Sequence, residues 1–325
     1  ADRNRGGSCL ACHVMGPAGG ANLPGNVAPD LSEIGNAGRE DEWLFNYIYD
    51  GRVYNPDTVM PPWGSHGLFD DQEINDMVAF LKTLKSPAVF KTELDDSAKR
   101  PPPVEKRDNL DPIENPAMWA VDKAQELWKQ AGAAGSSCNT CHSDPKTSFK
   151  TWAASMPMWE PRLNKVLSVE EFVTRHAKAT TGASWPMETE ENRAMSVYLH
   201  FLANGAPLKV DTSSPGAKAA MERGKELSAR KVGQLNMACT DCHGKVANHW
   251  IRGQWLGDPK GQYDHFPTWR TSLLAIWDIR QRFQWCQVNI RADELPPDAK
   301  EYGDLEFYLA VQNEGQKLSV PGIRH

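Results

Sequence analysis

Three five-residue motifs carry most of the chemistry that can be read from this chain: "CLACH" (Cys9, Cys12, His13), "CNTCH" (Cys138, Cys141, His142) and "CTDCH" (Cys239, Cys242, His243). Two thiols three positions apart, followed at once by an imidazole, have the spacing of covalent haem c attachment. Both sulfurs add to the porphyrin vinyl groups, and the histidine becomes an axial iron ligand. A lone C-x-x-C would equally suit half a zinc site or a redox disulfide. The histidine after each pair, with no four-cysteine cluster, argues against both. Three covalently bound haem c groups are therefore expected. Haem c is attached outside the cytoplasm in bacteria, so a periplasmic location is expected too. Six of the seven cysteines are thereby committed, which leaves Cys286 in "RQRFQWCQVNIRA".

Each iron needs a sixth ligand, and that ligand tunes its potential. Met60 stands directly before Pro61 and Pro62, 47 residues after His13. Proline fixes the backbone after it, so a loop could hold the thioether at an iron. Met15 is too near the motif, and Met77 sits on a helical pattern. For the second motif His176 is the leading candidate; Met156, Met158, Met187 and His200 compete with it. For the third, Cys286 is the candidate, with His249 and His265 as alternatives. A metal deprotonates a coordinating thiol outright, so Cys286 would bind as thiolate. Arg282 is four residues before Cys286, on the same face if "WDIRQRFQWCQV" is helical. There its guanidinium could hold either an oxyanion or a haem propionate. Lys260, Arg252, Arg280 and Arg291 are further cations for an anionic substrate.

The elements that must position these residues are helical. Apolar spacing and terminal glycines predict helices over "DQEINDMVAFLKTLK", with Ile74, Val78 and Leu81 on one face, "ENRAMSVYLHFLANG" and "DLEFYLAVQNEG". Two further helical patterns, "AVDKAQELWKQAG" and "AKAAMERGKELSARK", lead into the second and third motifs. The expected fold is mainly α: three class I cytochrome c-like units in one chain, joined by a proline-rich linker. The expected boundaries are 1–86, a linker at 87–116, then 117–210 and 211–325. The triple proline at 101–103 excludes a helix through the middle of that linker.

The totals fit an ordinary globular chain, with 40% hydrophobic and 24% charged residues. No apolar run approaches the roughly 18 residues of a membrane helix. The net charge of −6 argues against a nucleic-acid partner.

On these motifs the chain resembles a known family. Residues 6–85, with "LPGNVAPDLSEIG" and "NPDTVMPPWGSHG", resemble SoxX, the monohaem subunit of the thiosulfate-oxidising cytochrome. Residues 117–325 resemble SoxA, its partner subunit, in "FPTWR", "RQRFQWC", "NIRA", "EYGDLEFYLA" and "PGIRH". The resemblance implies a SoxX–SoxA fusion with L-cysteine S-thiosulfotransferase activity. Such an enzyme oxidatively joins thiosulfate to a cysteine of the carrier SoxYZ, and an external cytochrome c or oxidase collects the two electrons. It further implies that Cys286 is the axial ligand and catalytic residue, found in the family as a persulfide, and that Arg282 lines that site. The family's second distal cysteine is missing here; its segment aligns with "FVTRH", which puts His176 in its place and implies His142/His176 ligation. Two rivals are a multihaem electron carrier without substrate chemistry and a dihaem peroxidase.

Overall fold

The computed structural model describes residues 8–16, 23–103 and 109–324. Residues 104–108 of the expected linker, the start of the first expected domain and His325 of "PGIRH" lie outside the described residues.

The chain divides into two compact units that do not follow sequence order. One comprises 1–103, 229–258 and 287–293, and the other 104–228, 259–286 and 294–325. The segment carrying the third motif shares a core with the segment carrying the first: Leu235, Met237, Cys242 and Ile290 pack in one apolar cluster with Met15, Leu44, Ile74, Val78 and Trp63.

In the first unit, helices α1 (Asp41–Asp50) and α2 (Asp71–Thr83) supply much of that cluster. Helix α2 starts at a reciprocal cap, in which the Asp70 carboxylate accepts the Glu73 amide and the Glu73 carboxylate accepts the Asp70 amide. Its Ile74, Val78 and Leu81 are buried, the face expected from their spacing. No helix crosses residues 86–103. This stretch is tied down by Arg100, which donates to the Arg252 carbonyl at 2.8 Å and lies over the Trp250 ring.

The second unit holds α3 (Trp119–Lys129), the short turns α4 (Cys138–Cys141) and α5 (Pro145–Ser148), the hairpin β1 (Met158–Glu160) with β2 (Lys165–Leu167), then α6 (Val169–Thr180), α7 (Glu190–Leu202) and α8 (Pro215–Ala229), which ends one residue into the first unit. The first unit contributes a hairpin of β3 (His249–Ile251) and β4 (Gln254–Leu256). Back in the second unit come β5 (Thr268–Arg270), β6 (Ala275–Trp277), α9 (Ile279–Asn289, whose last three residues belong to the first unit), α10 (Lys300–Gln312) and β7 (Gly322–Arg324). Among the described residues, seven strands of three residues each thus accompany the expected helices.

The second unit contains an internal repeat. The series β1–β2–α6–α7 returns as β5–β6–α9–α10 with every position shifted by 110 residues: Trp159 becomes Trp269, Lys165 becomes Ala275, and Gly205 becomes Gly315. Even the hairpin turns agree, with φ of 51° at Asn164 and 52° at Leu274. The second copy alone gains a third strand, since β7 adds to β5 in parallel and sets Arg324 beside Arg270. Helices α8 and α10 cross closely at Gly224, where a Cβ would stand 2.0 Å from the Asp304 carbonyl oxygen. Arg223 locks the crossing through a two-pronged ion pair to Asp304 at 2.7 and 2.9 Å.

Candidate haem ligands and an arginine-rich thiol site

Each C-x-x-C-H histidine needs one ring nitrogen at a metal and the other held by a partner that orients it. His13 has its Nδ1 2.7 Å from the Pro29 carbonyl oxygen. His243 has its Nδ1 2.8 Å from the Gly257 carbonyl oxygen. Both arrangements commit Nδ1 and leave Nε2 for iron. Burial pushes the His13 imidazole pKa down, favouring the neutral form that ligates. Cys9 and Met60 pack against the same apolar cluster in the first unit. The loop before Met60 is held from the third-motif segment: Lys231 donates to the Thr58 carbonyl and Lys245 to the Asp57 carbonyl, both at 3.2 Å. Both lysines also lie near the Asp241 carboxylate, at 3.7 and 3.3 Å.

The second motif offers a direct test of fit. The rings of His142 and His176 have centroids 6.3 Å apart. Two imidazoles binding one metal from opposite sides stand roughly 6 Å apart, given metal–nitrogen bonds of about 2 Å and about 1 Å from nitrogen to centroid. The pair therefore fits a haem iron. Phe172 stacks on His176 at 5.1 Å, and Phe149 meets His142 edge-on at 5.1 Å. Burial, then the His142 charge, lowers the pKa of His176. Two of the competitors are otherwise engaged. His200 is buried with its Nδ1 on the Ser196 carbonyl, and Met156 is buried in the core.

The repeat carries this geometry across to the leftover thiol. His176 shifted by 110 residues is Cys286, so the cysteine occupies on α9 the place that His176 occupies on α6. Of the alternatives, His249 is exposed on β3, whereas His265 is buried against Phe266.

Asp278 directly precedes helix α9, and its carboxylate accepts the Gln281 amide at 2.9 Å. Arg280 and Arg282 are two residues apart, hence roughly 200° apart around the helix, and their roles separate. Arg280 is 0% exposed; it donates to Glu306 at 2.7 Å, to Glu171 at 3.3 Å and to the Pro297 carbonyl at 3.1 Å. It is a structural cation joining the two repeats, not a draw for substrate. Arg282 lies on the Cys286 side. Of the other cations considered from sequence, Arg252 donates to the Ser8 hydroxyl and Arg291 donates to the Gln234 side-chain oxygen at 3.2 Å.

Sequence reasoning missed Arg270 and Arg324. Arg270 is 8% exposed, and its pKa is pushed down to about 10, first by burial, then by the Arg282 charge; Cys286 acts in the opposite sense and Arg324 again lowers it. Each of these three groups thus lies within electrostatic reach of Arg270. Tyr302, fully buried on α10, also feels the Cys286 charge, although burial is the main cause of its raised pKa. The available signal was "FPTWR" and "PGIRH", whose arginines are 54 positions apart and become neighbours only through β5–β7 pairing.

Residues 123–208 match the family model of the SoxA/TsdA cytochrome c domain, and residues 4–81 that of the cbb3-type cytochrome c oxidase subunit III. The L-cysteine S-thiosulfotransferase subunit SoxA of Pseudaminobacter salicylatoxidans is 31% identical over 216 residues, covering 66% of this chain and 75% of that protein. Its counterpart from Paracoccus pantotrophus is 29% identical over 217 residues, covering 66% and 73%. The crystal structure of SoxXA from P. pantotrophus is similar with a TM-score of 0.61 and 27% identity, covering 66% of this chain and 80% of that one.

Proposed function

This chain belongs to the SoxA family, joined in one polypeptide to a SoxX-like cytochrome domain, and from that premise we propose that it couples thiosulfate oxidatively to a cysteine of a SoxYZ-type carrier protein. The half-reaction is R–SH + S2O3(2−) → R–S–S–SO3(−) + H(+) + 2e(−). A new bond forms between the carrier sulfur and the terminal thiosulfate sulfur, and the thiol proton leaves to solvent. Three haem c groups, when bound, supply one-electron acceptors for the two electrons, which an external cytochrome c or oxidase then collects.

The chain's own residues have the following roles. Cys9, Cys12, Cys138, Cys141, Cys239 and Cys242 would hold the porphyrins through thioether bonds. His13, His142 and His243 would each supply an imidazole to an iron, and Met60, His176 and Cys286 would supply the second protein ligand of the first, second and third. Arg282 neutralises the substrate dianion beside Cys286. The Cys286 sulfur can carry a persulfide, as in the family. Among the described residues no helix is long and apolar enough to cross a membrane; the periplasmic location is part of the proposal and rests on the haem c motifs.

One observation carries this reading. Cys286 stands at the repeat equivalent of His176, with Arg282 one turn before it, whereas the first copy has Phe172 at the place of Arg282. A plain multihaem electron carrier has no use for a thiol at a ligand position surrounded by cations. The test combines low-temperature EPR of wild type and Cys286→Met with an assay of cytochrome c reduction driven by thiosulfate and carrier. A low-spin thiolate signal and turnover, both lost in the variant, are expected. Unchanged spectra with no turnover in wild type would leave the simple electron carrier.

A further inference from the structure

The third motif differs from the other two at its middle position: Asp241 stands where the first has Ala11 and the second Thr140. Haem attachment needs the two cysteines and the histidine, so a carboxylate between them answers to something else. Asp241 is 2% exposed, and a buried carboxylate is costly unless charges and donors meet it. Its carboxylate accepts the Ala238 amide at 2.9 Å and lies 3.3 Å from the Lys245 ammonium and 3.7 Å from that of Lys231. Residues Asp241–Lys245 wind as a single π turn, a form that recurs at functional positions. An ammonium has three donors, and each lysine turns another towards the loop before Met60. Lys245 donates to the Asp57 carbonyl and Lys231 to the Thr58 carbonyl, both at 3.2 Å. The Thr58 hydroxyl in turn accepts the Met60 amide at 3.1 Å. Beyond Met60 the same segment takes hold again, with His66 Nδ1 2.9 Å from the Gln234 carbonyl oxygen. The loop is thus gripped on both sides of its methionine, and the two ammonium groups on one side converge on Asp241.

We propose that Asp241 is a positioning residue for Met60: it holds Lys231 and Lys245 against the loop and so keeps the thioether at the iron of the first haem, although Asp241 itself belongs to the attachment motif of the third. This rests on the reading of Met60 as the distal ligand of the first haem. A neutral thioether has no charge to draw it to a metal, so its place there depends on the backbone that presents it. Pro61 and Pro62 fix the chain after Met60, and the tied carbonyls of Asp57 and Thr58 fix it before. Without the carboxylate, two ammonium groups facing one point repel each other and turn to water, and their bonds to the loop go with them. Ligation at one haem therefore depends on a side chain set between the thioether cysteines of another. The apolar cluster that Met60 and Cys242 both pack against completes this link between the two sites.

The test uses the full-length holoprotein and the far-red charge-transfer band of methionine-ligated ferric haem, assigned to Met60 by its loss in Met60→Ala. Imidazole is titrated in, and the concentration that removes half the band measures how readily Met60 is displaced. Asp241→Asn keeps the size of the side chain and removes its charge. It should bring half-displacement at a roughly tenfold lower imidazole concentration, the effect of one charged hydrogen-bond partner. Lys231→Met and Lys245→Met, each of which frees one carbonyl, should shift it in the same direction by a smaller factor. An unchanged half-displacement in Asp241→Asn overturns the proposal, and a raised midpoint of the first haem without that change would give Asp241 a purely electrostatic part. A wild type without the band, or a band that survives Met60→Ala, overturns the Met60 reading and the proposal with it. A band that is lost in Met60→Ala but indifferent to Asp241 keeps that reading and overturns the proposal alone. If Asp241→Asn does not take up its third haem, the two lysine variants, which lie outside the motif, decide by the same criterion.

Discussion

A cysteine thiol either pairs, packs or reacts, and Cys286 has neighbours suited to reaction. It is half-buried, Arg282 lies one helical turn before it, and Arg270 and Tyr302 lie within electrostatic reach. At this scale the three distal positions predict separable phenotypes. His176→Ala should convert the second haem to a high-spin spectrum while leaving the thiolate signal intact, since Phe172 and His142 surround a different residue. Cys286→Met should do the reverse. Absorption and EPR spectra of the two variants check this, and a single signal lost in both would break the assignment. Arg280 belongs to another class. Arg280→Ala should cost about 3–5 kcal/mol, because it removes the ion-pair partner of the buried Glu306, while Glu171 keeps Lys165 and Arg175. Arg282→Ala, on the opposite face, should leave denaturant stability within about 1 kcal/mol of wild type.

At the scale of elements, the β-hairpin–helix–helix repeat reuses one frame for two purposes. In the first copy the frame sets two histidines at the separation an iron needs. In the second it sets a cysteine at the same place and surrounds it with cations. The start of α9 carries a measurable pH signature. Asp278 is fully buried, and its pKa is pushed up to about 7, first by burial and then by the charge of Glu170. A carboxyl whose folded pKa lies above its unfolded value of 3.8 binds more protons in the folded state between those pH values. Its contribution to stability is therefore fully present below about pH 4 and is lost as pH rises through about 7. Asp278→Asn keeps the helix cap and removes the ionisation. The variant should melt above wild type at pH 8, and the gap should close towards pH 4. A gap of constant size in thermal melts across that range would refute the assignment.

For the molecule as a whole, the first and third haem motifs lie in one compact unit, and the second lies in the other. The lysines of the third-motif segment reach the loop that presents Met60. Positive charge near a haem favours its reduced form, so the pair should help hold the first haem at high potential. Replacing both Lys231 and Lys245 with methionine should lower that midpoint by roughly 20–60 mV, the one-electron equivalent of about 0.5–1.4 kcal/mol. A redox titration resolves this, and an unchanged midpoint would confine the lysines to a structural role. Mass spectrometry of the denatured chain should find three covalent haem additions, and Cys286→Ala should retain all three.

What the amino-acid sequence determined by itself was whatever depends on spacing along the chain. Three C-x-x-C-H motifs declare their chemistry within five residues, the stripe of Ile74, Val78 and Leu81 marks its buried face, and the four-residue step from Arg282 to Cys286 already puts them on one side of a helix. What only the tertiary structure decided was whatever depends on which distant segments pair. Arg324 reaches Arg270 because a parallel strand closes onto β5, Arg280 is absorbed because Glu171 comes from the other repeat, and the third motif joins the first because their apolar residues fill one core. Helical spacing is local geometry and survives in any fold, whereas strand register and shared burial arise only from long-range contacts that no run of neighbouring residues encodes.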